Sequence, residues 1–242
     1  NPRNCLDPAT TETVAGPASA QIRADLTRPV LIAEAETDVL RYRPATQDDT
    51  DVLRIWESAG TAHSDAYTLG IGDADTATGD GDIALFEAQL AAPSSVYYGI
   101  ITCGLPLNAG PHTYILRSAL HSLDHWVRSG EPPTSMPKLE GNADLSAYLM
   151  DANGNVLGGI RTPFVDAPLA KLSGSGQEGD SFCGLFGTTH GFTPDELQAL
   201  YPTTQDFMAK WNAATDAALA TGAILAIDAE NIKAAAENFV IK

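Results

Sequence analysis

The apolar positions of this chain fall into short runs and one long stripe. Arg28-Pro-Val-Leu-Ile-Ala-Glu-Ala opens with a proline and then holds a β-rich apolar run too short for a helix, which predicts a strand over Val30–Ala35. A second strand is predicted over 51–57, where Val52, Leu53, Ile55 and Trp56 are interleaved with charges. The polar stretch 42–50 between them reads as a loop. A short helix is expected over 83–91, and a strong one over 112–129. In the latter Ile115, Leu116, Ala119, Leu120, Leu123, Trp126 and Val127 share one face, and Gly130 with Pro132-Pro133 stops the helix. Trp56 and Trp126 are expected in the core. Residues 145–160 suggest a hairpin turning at Asn153-Gly154. Thr193-Pro-Asp-Glu196 has the cap, the proline and the acidic first turn of a helix start. Helical pattern recurs over 205–221 and 228–238.

No internal repeat or obvious linker divides the 242 residues, a length suited to one domain with a sizeable core. Residues 1–27, with Pro2, Pro8 and Pro17 and a short helical stretch around 18–26, read as a lead-in. Residues 66–242 read as a cap or insertion followed by C-terminal helices. The small, acidic segment 70–82 reads as an exposed loop or a mobile insertion.

Charge narrows the partners. Fourteen basic residues face 31 acidic ones, a formal net charge of −17, with no basic run. A phosphate backbone or an anionic membrane surface would be repelled, so neither nucleic acid nor membrane is an expected partner. No apolar run approaches the length needed to span a bilayer. The start, Asn-Pro-Arg-Asn-Cys, suggests a processed or truncated product. With the acidity it leans towards a secreted protein, a cytoplasmic one being the alternative.

Cys5, Cys103 and Cys183 form no Cys-x-x-Cys pair, which excludes a zinc ribbon or thioredoxin-type motif. Three buried free thiols are one reading; a bond from Cys5 to a segment outside this chain is another. His121 and His125 lie four apart on one helix face, as zinc ligands do, without a third ligand in view. Asp73, Asp75, Asp80 and Asp82, and the turn Asp151–Asn155, lack EF-hand spacing. No metal or other cofactor is expected.

The candidate chemistry lies early in the chain. Glu36 and Asp38 follow the first strand, and His63 follows the second after a glycine turn at Gly60. If the two strands are parallel neighbours, the carboxylate and the imidazole converge at one sheet edge. There the acid can hold the histidine's tautomer while the histidine moves a proton. Asp38 is the first choice for the acid and Glu36 the second. The plainer alternative makes both ordinary loop acids. Arg161, before a proline, could contact a substrate oxygen or pair with an acid such as Asp166.

The stretches Pro29–Val39 and Arg54–Asp65, with Cys103–Pro111, Gly158–Pro168, Cys183-Gly-Leu-Phe-Gly-Thr-Thr and Leu200-Tyr-Pro, resemble the α/β-hydrolases known as alpha/beta hydrolase domain-containing proteins. The resemblance covers most of the chain. It implies an α/β fold, with His63 as general base, Asp38 or Glu36 as its orienting acid, and an upstream Gly-x-Ser-x-Gly elbow with an oxyanion hole. That elbow is absent from this sequence. The nearest stretch, Leu172-Ser-Gly-Ser175-Gly, lacks the first glycine, follows the histidine and is expected to follow no strand. The triad order of such enzymes is Ser, acid, His. The expectation is therefore the C-terminal portion of an α/β-hydrolase fold, carrying acid and histidine on parallel strands, with a mainly helical cap and a hairpin. Its function would be serine-type carboxylic-ester hydrolysis of a small-molecule ester. Its nucleophile would lie on a missing N-terminal portion or a partner chain. The alternative is a non-catalytic pseudo-hydrolase or accessory binding subunit.

Overall fold

A computed structural model describes residues 19–74, 81–97, 99–143 and 146–241. Strand β1 (Val30–Ala35) pairs in parallel with β2 (Leu53–Ser58), in the register Val30↔Leu53 to Ala35↔Ser58. A parallel bridge from Ser58 to Ile160 extends the pairing beyond β2. The first strand has the predicted bounds, and the second is shifted by two residues at its start. Between them the chain is not all loop: α1 (Glu36–Tyr42) follows β1 without a break, and a 3-10 turn spans Arg43–Ala45.

Two helices, α2 (Ala66–Ala74) and α3 (Gly81–Ala91), occupy much of the segment expected to be an acidic loop. Asp75 and Asp80 lie outside the described residues. The short antiparallel pair β3 (Val96–Tyr97) and β4 (Ile101–Thr102) follows. Then comes α4 (Thr113–Ser129), closed by Gly130 at φ 80°. Its predicted apolar face is only partly buried: Ile115, Ala119 and Trp126 are inside, while Leu120 and Val127 are exposed. Helix α4 packs on β1, and Arg54 of β2 stacks 5.4 Å from the Trp126 ring.

Within the described residues 146–160, the hairpin expected over 145–160 is a loop joined by isolated antiparallel bridges, Gly141↔Tyr148 and Met150↔Val156. Its turn is held by the Asp151 side chain, which accepts from the Asn153 and Asn155 amides, with Gly154 at φ 81°. After the short helix α5 (Pro163–Asp166), β5 (Ala170–Ser173) pairs antiparallel with β6 (Thr188–Gly191). Helix α6 (Pro194–Leu200) starts at the predicted capping box: Thr193 Oγ1 accepts from the Glu196 amide and Glu196 accepts from the Thr193 amide. Helices α7 (Thr204–Ala220) and α8 (Ala226–Ala235) complete the chain, α8 running into a 3-10 turn, Ala236–Asn238. The lead-in helix is not observed within 20–26, where only Ala24 and Asp25 form a turn; the residues before 19 lie outside the described set.

The core is aromatic. Phe86, Phe164, Phe207 and Trp211 are all fully buried and meet edge-on or tilted at centroid distances of 4.8–5.4 Å. Trp56 and Trp126 are buried as expected. No described helix is long and apolar enough to cross a membrane.

The three-free-thiol reading is corrected. Cys103 and Cys183 form a disulfide across 80 residues, with Cα atoms 5.6 Å apart. Cys5 lies outside the described residues.

Candidate active site

Because β1 and β2 are parallel and end at the pair Ala35↔Ser58, residues 36–38 and 59–63 leave the sheet at the same end. Asp38 sits in the first turn of α1 and acts in two directions. Its Oδ2 accepts the Ala35 amide at 3.0 Å, capping the helix; its Oδ1 lies 2.7 Å from Nδ1 of His63. The backbone bond fixes the carboxylate that meets the imidazole. Thr37 holds the histidine's main chain: its Oγ1 accepts the His63 amide at 3.2 Å and donates to the Gly174 carbonyl at 2.6 Å. The His63 side chain is 49% exposed, against 14% for Asp38. Its Nε2 makes no hydrogen bond among the described residues, so one nitrogen is held and the other is not engaged by them.

Glu36 does a different job. It is fully buried and accepts from the Gly60 amide at 2.6 Å and the Gly174 amide at 2.7 Å. Its own carbonyl accepts from the Tyr148 hydroxyl at 2.5 Å. Burial pushes its carboxyl up to about 7, against the pull of the two amides. Glu36 therefore ties the glycine turn before His63 to the β5–β6 connection, and does not touch the imidazole. Of the two candidate acids, only Asp38 meets it.

A second tie is Asn108, also fully buried. Its Nδ2 donates to the Gly60 carbonyl at 3.1 Å and the Ser173 carbonyl at 3.0 Å, and its Oδ1 accepts from Gly110 at 2.8 Å. The segments it joins pass so close that a Cβ at Gly110 would lie 1.9 Å from the Gly60 carbonyl oxygen. Buried Asp65 accepts from the Thr68 amide at 2.8 Å and the His112 amide at 3.3 Å, fixing the far side of the histidine loop. The disulfide clamps the chain beside it: Ser64 donates to the Leu185 carbonyl and Asn108 to the Phe186 carbonyl, each at 3.0 Å. Sequence reasoning missed Thr37, Asp65 and Asn108, whose partners are mostly backbone atoms of distant segments.

The remaining candidates lie elsewhere in the hydrogen-bond network. Arg161 donates to Asp166 at 2.6 Å, to Asp151 at 2.7 Å, and to the carbonyls of Val156 and Val165. Its guanidinium is thus engaged by the chain's own acids, and its charge also bears on Glu36. Ser175 does follow a strand, contrary to expectation, but that strand is antiparallel β5 and the Ser175 hydroxyl bonds to Ser173 Oγ at 3.2 Å. His125 lies 3.6 Å from Glu131. Among the described residues no three His, Cys, Asp or Glu side chains gather as a metal site.

An imidazole held through Nδ1 by a fixed carboxylate, with Nε2 free, can take up and return a proton. No curated protein and no solved structure matches this chain. A family model for the alpha/beta hydrolase domain matches residues 4–234, nearly its whole length. The mixed helices and parallel strand pair agree with that class, and the chain belongs to the alpha/beta hydrolase domain family.

Proposed function

We propose that the protein acts in serine-type carboxylic-ester hydrolysis, with His63 as general base and Asp38 as the acid that orients it. The observation that carries this reading is the 2.7 Å contact between Asp38 and His63 Nδ1 at the shared end of two parallel strands. The sequence holds no Gly-x-Ser-x-Gly, and His63 Nε2 has no hydrogen-bond partner among the described residues. The nucleophilic serine and the oxyanion hole therefore come from an N-terminal portion of the same hydrolase or from a partner chain. The serine oxygen attacks the ester carbonyl as Nε2 takes its proton. The tetrahedral adduct then expels the alcohol, which receives that proton. Water, deprotonated by His63, cleaves the acyl-serine and releases the acid. Asp38 stabilises the imidazolium. Glu36 braces the turn and Arg161 braces the loop at Asp151. The Cys103–Cys183 disulfide supports a secreted location, since such bonds persist in oxidising compartments.

The test is a fluorophosphonate probe applied to the native protein, followed by intact mass spectrometry under denaturing conditions with and without reductant. A labelled serine on a companion polypeptide is the expected result. His63→Ala should slow labelling by at least about 10³-fold, and Asp38→Asn by a comparable factor through loss of the correct tautomer. Glu36→Gln should cost stability instead. This chain alone and unlabelled, with no ester turnover, would sink the reading and leave the accessory, non-catalytic subunit as its successor.

A further inference from the structure

Next to the His63 loop lies a cavity of about 400 Å³, within the range of about 300–1,000 Å³ usual for small-molecule sites. Its walls come from α2, α3, β3 and the segment entering α4; Ala66, Leu69, Ala88, Val96, Tyr97 and Leu107 are among the residues lining it. Two properties define what it can hold. First, among the described residues no charged side chain lines it, although 19% of the chain is charged and the net charge is −17. Second, its one buried amide, Gln89, is spent on the wall. Gln89 Nε2 donates to the Ser94 and Leu107 carbonyls at 2.8 Å, and Oε1 accepts from the Ser94 amide at 2.9 Å. Among the described lining residues an occupant therefore meets mostly hydrocarbon and no charged group.

The cavity is also anchored to the site. Ala66 is three residues from His63, so their Cα atoms lie within about 11 Å. The Ala66 amide donates to the Asn108 carbonyl at 2.6 Å, the same Asn108 that braces the turn before His63. Leu107, which also lines the cavity, precedes that asparagine and packs in the small cluster around Cys103 and Cys183. One framework thus positions both the imidazole and the cavity wall.

We propose that this cavity receives the uncharged hydrocarbon arm of the ester, so that the substrates are esters with an aliphatic or aromatic arm lacking ionised groups. The assignment of the occupant as an ester rests on the hydrolase reading of His63. Binding is measured separately from turnover. The protein is labelled at its Leu and Val methyl groups and titrated with 2-butanone, 2-hexanone and 2-octanone, uncharged ketones that cannot be hydrolysed.

The expected result is saturable shifts confined to Leu69, Leu85, Val96 and Leu107, with affinity rising about threefold to fourfold per added methylene until the cavity is filled. Hexanoate should bind at least tenfold more weakly than 2-hexanone, by the cost of burying its charge. Ala88→Trp should remove the shifts, and Ala92→Phe gives a second blockade should the first variant fail to fold. His63→Ala should leave binding unchanged. Absence of saturable shifts, equal binding of hexanoate, or shifts instead at Leu90, Leu169 and Leu197, which line a different groove, would overturn the pocket. Binding with the expected pattern but no ester turnover in any assembly would leave the pocket standing and overturn only the hydrolase reading.

Discussion

The polar frame around His63 and the aromatic core beneath it are both buried, yet they are held by opposite means. In the frame, Glu36 and Asn108 satisfy backbone groups of Gly60, Gly110, Ser173 and Gly174 through bonds of 2.6–3.1 Å. The approach is so close that a Cβ at Gly174 would lie 2.4 Å from the Thr61 carbonyl oxygen. In the core, Phe86, Phe164, Phe207 and Trp211 meet through ring faces and edges, and shape matters more than any single contact. Directional bonds fix the position of one side chain to a fraction of an ångström; apolar burial supplies most of the stability but tolerates repacking. The site is therefore placed by the weaker of the two regions and kept folded by the stronger.

That division can be broken from either side. The larger effect on stability is expected from Trp211→Ala. It empties the centre of the aromatic cluster and strands the Ile232 carbonyl, which accepts from Nε1 at 2.7 Å. A loss of about 3–5 kcal/mol is expected in urea unfolding. Below the unfolding transition, the NMR signature of the His63 Nδ1 proton should be unchanged. Asn108→Ala should cost less, on the order of 3 kcal/mol for the buried groups it leaves unpaired, yet it should shift or broaden that same resonance. Equal behaviour of the two variants at His63 would mean that the frame does not position the imidazole.

What the sequence revealed follows the same line. Strand β1 was legible because an apolar β-rich run after a proline leaves little choice, and α6 because Thr193 and Glu196 sit at the spacing of a reciprocal cap. The acid–histidine pair was legible because two adjacent strands of similar length bring their C-terminal loops together. Helix α1 was not, since its start carries no Ser, Thr, Asp or Asn at the cap; Asp38 closes it from inside the first turn. Nor was the Cys103–Cys183 bond, whose partners meet only after 80 intervening residues have folded. Asn108 reads as a loop polar residue until the three segments it joins are placed around it. Periodicity records what each element buries; it carries no record of which distant carbonyl a side chain will meet.

The smallest expected effect sharpens the comparison by adding a half-buried acid that lacks such a frame. Glu34 and Glu57 are register partners on β1 and β2 and line the same small cavity on one face of the pair. Glu57 accepts the Leu139 amide at 2.8 Å, and Lys138 stands 3.8 Å away. Among the described residues Glu34 has no comparable donor. Burial first, then the neighbouring Glu57 and Asp38 charges, push its carboxyl from 4.5 up to about 7, with Lys138 opposing. Between those values the folded chain holds a proton that the unfolded chain releases. Its contribution to stability is therefore fully present below pH 4.5, falls as the pH rises towards 7, and is flat above. Glu36, also raised to about 7, slopes the same way. Glu34→Gln removes only its own share. The melting temperature of the variant should match the parent's at pH 4.5 and exceed it at pH 8, with a residual slope left by Glu36 and Glu57, both raised by burial. If the variant instead keeps the parent's full slope, Glu34 titrates in the fold as it does in the unfolded chain, and its place beside Glu57 does not raise it.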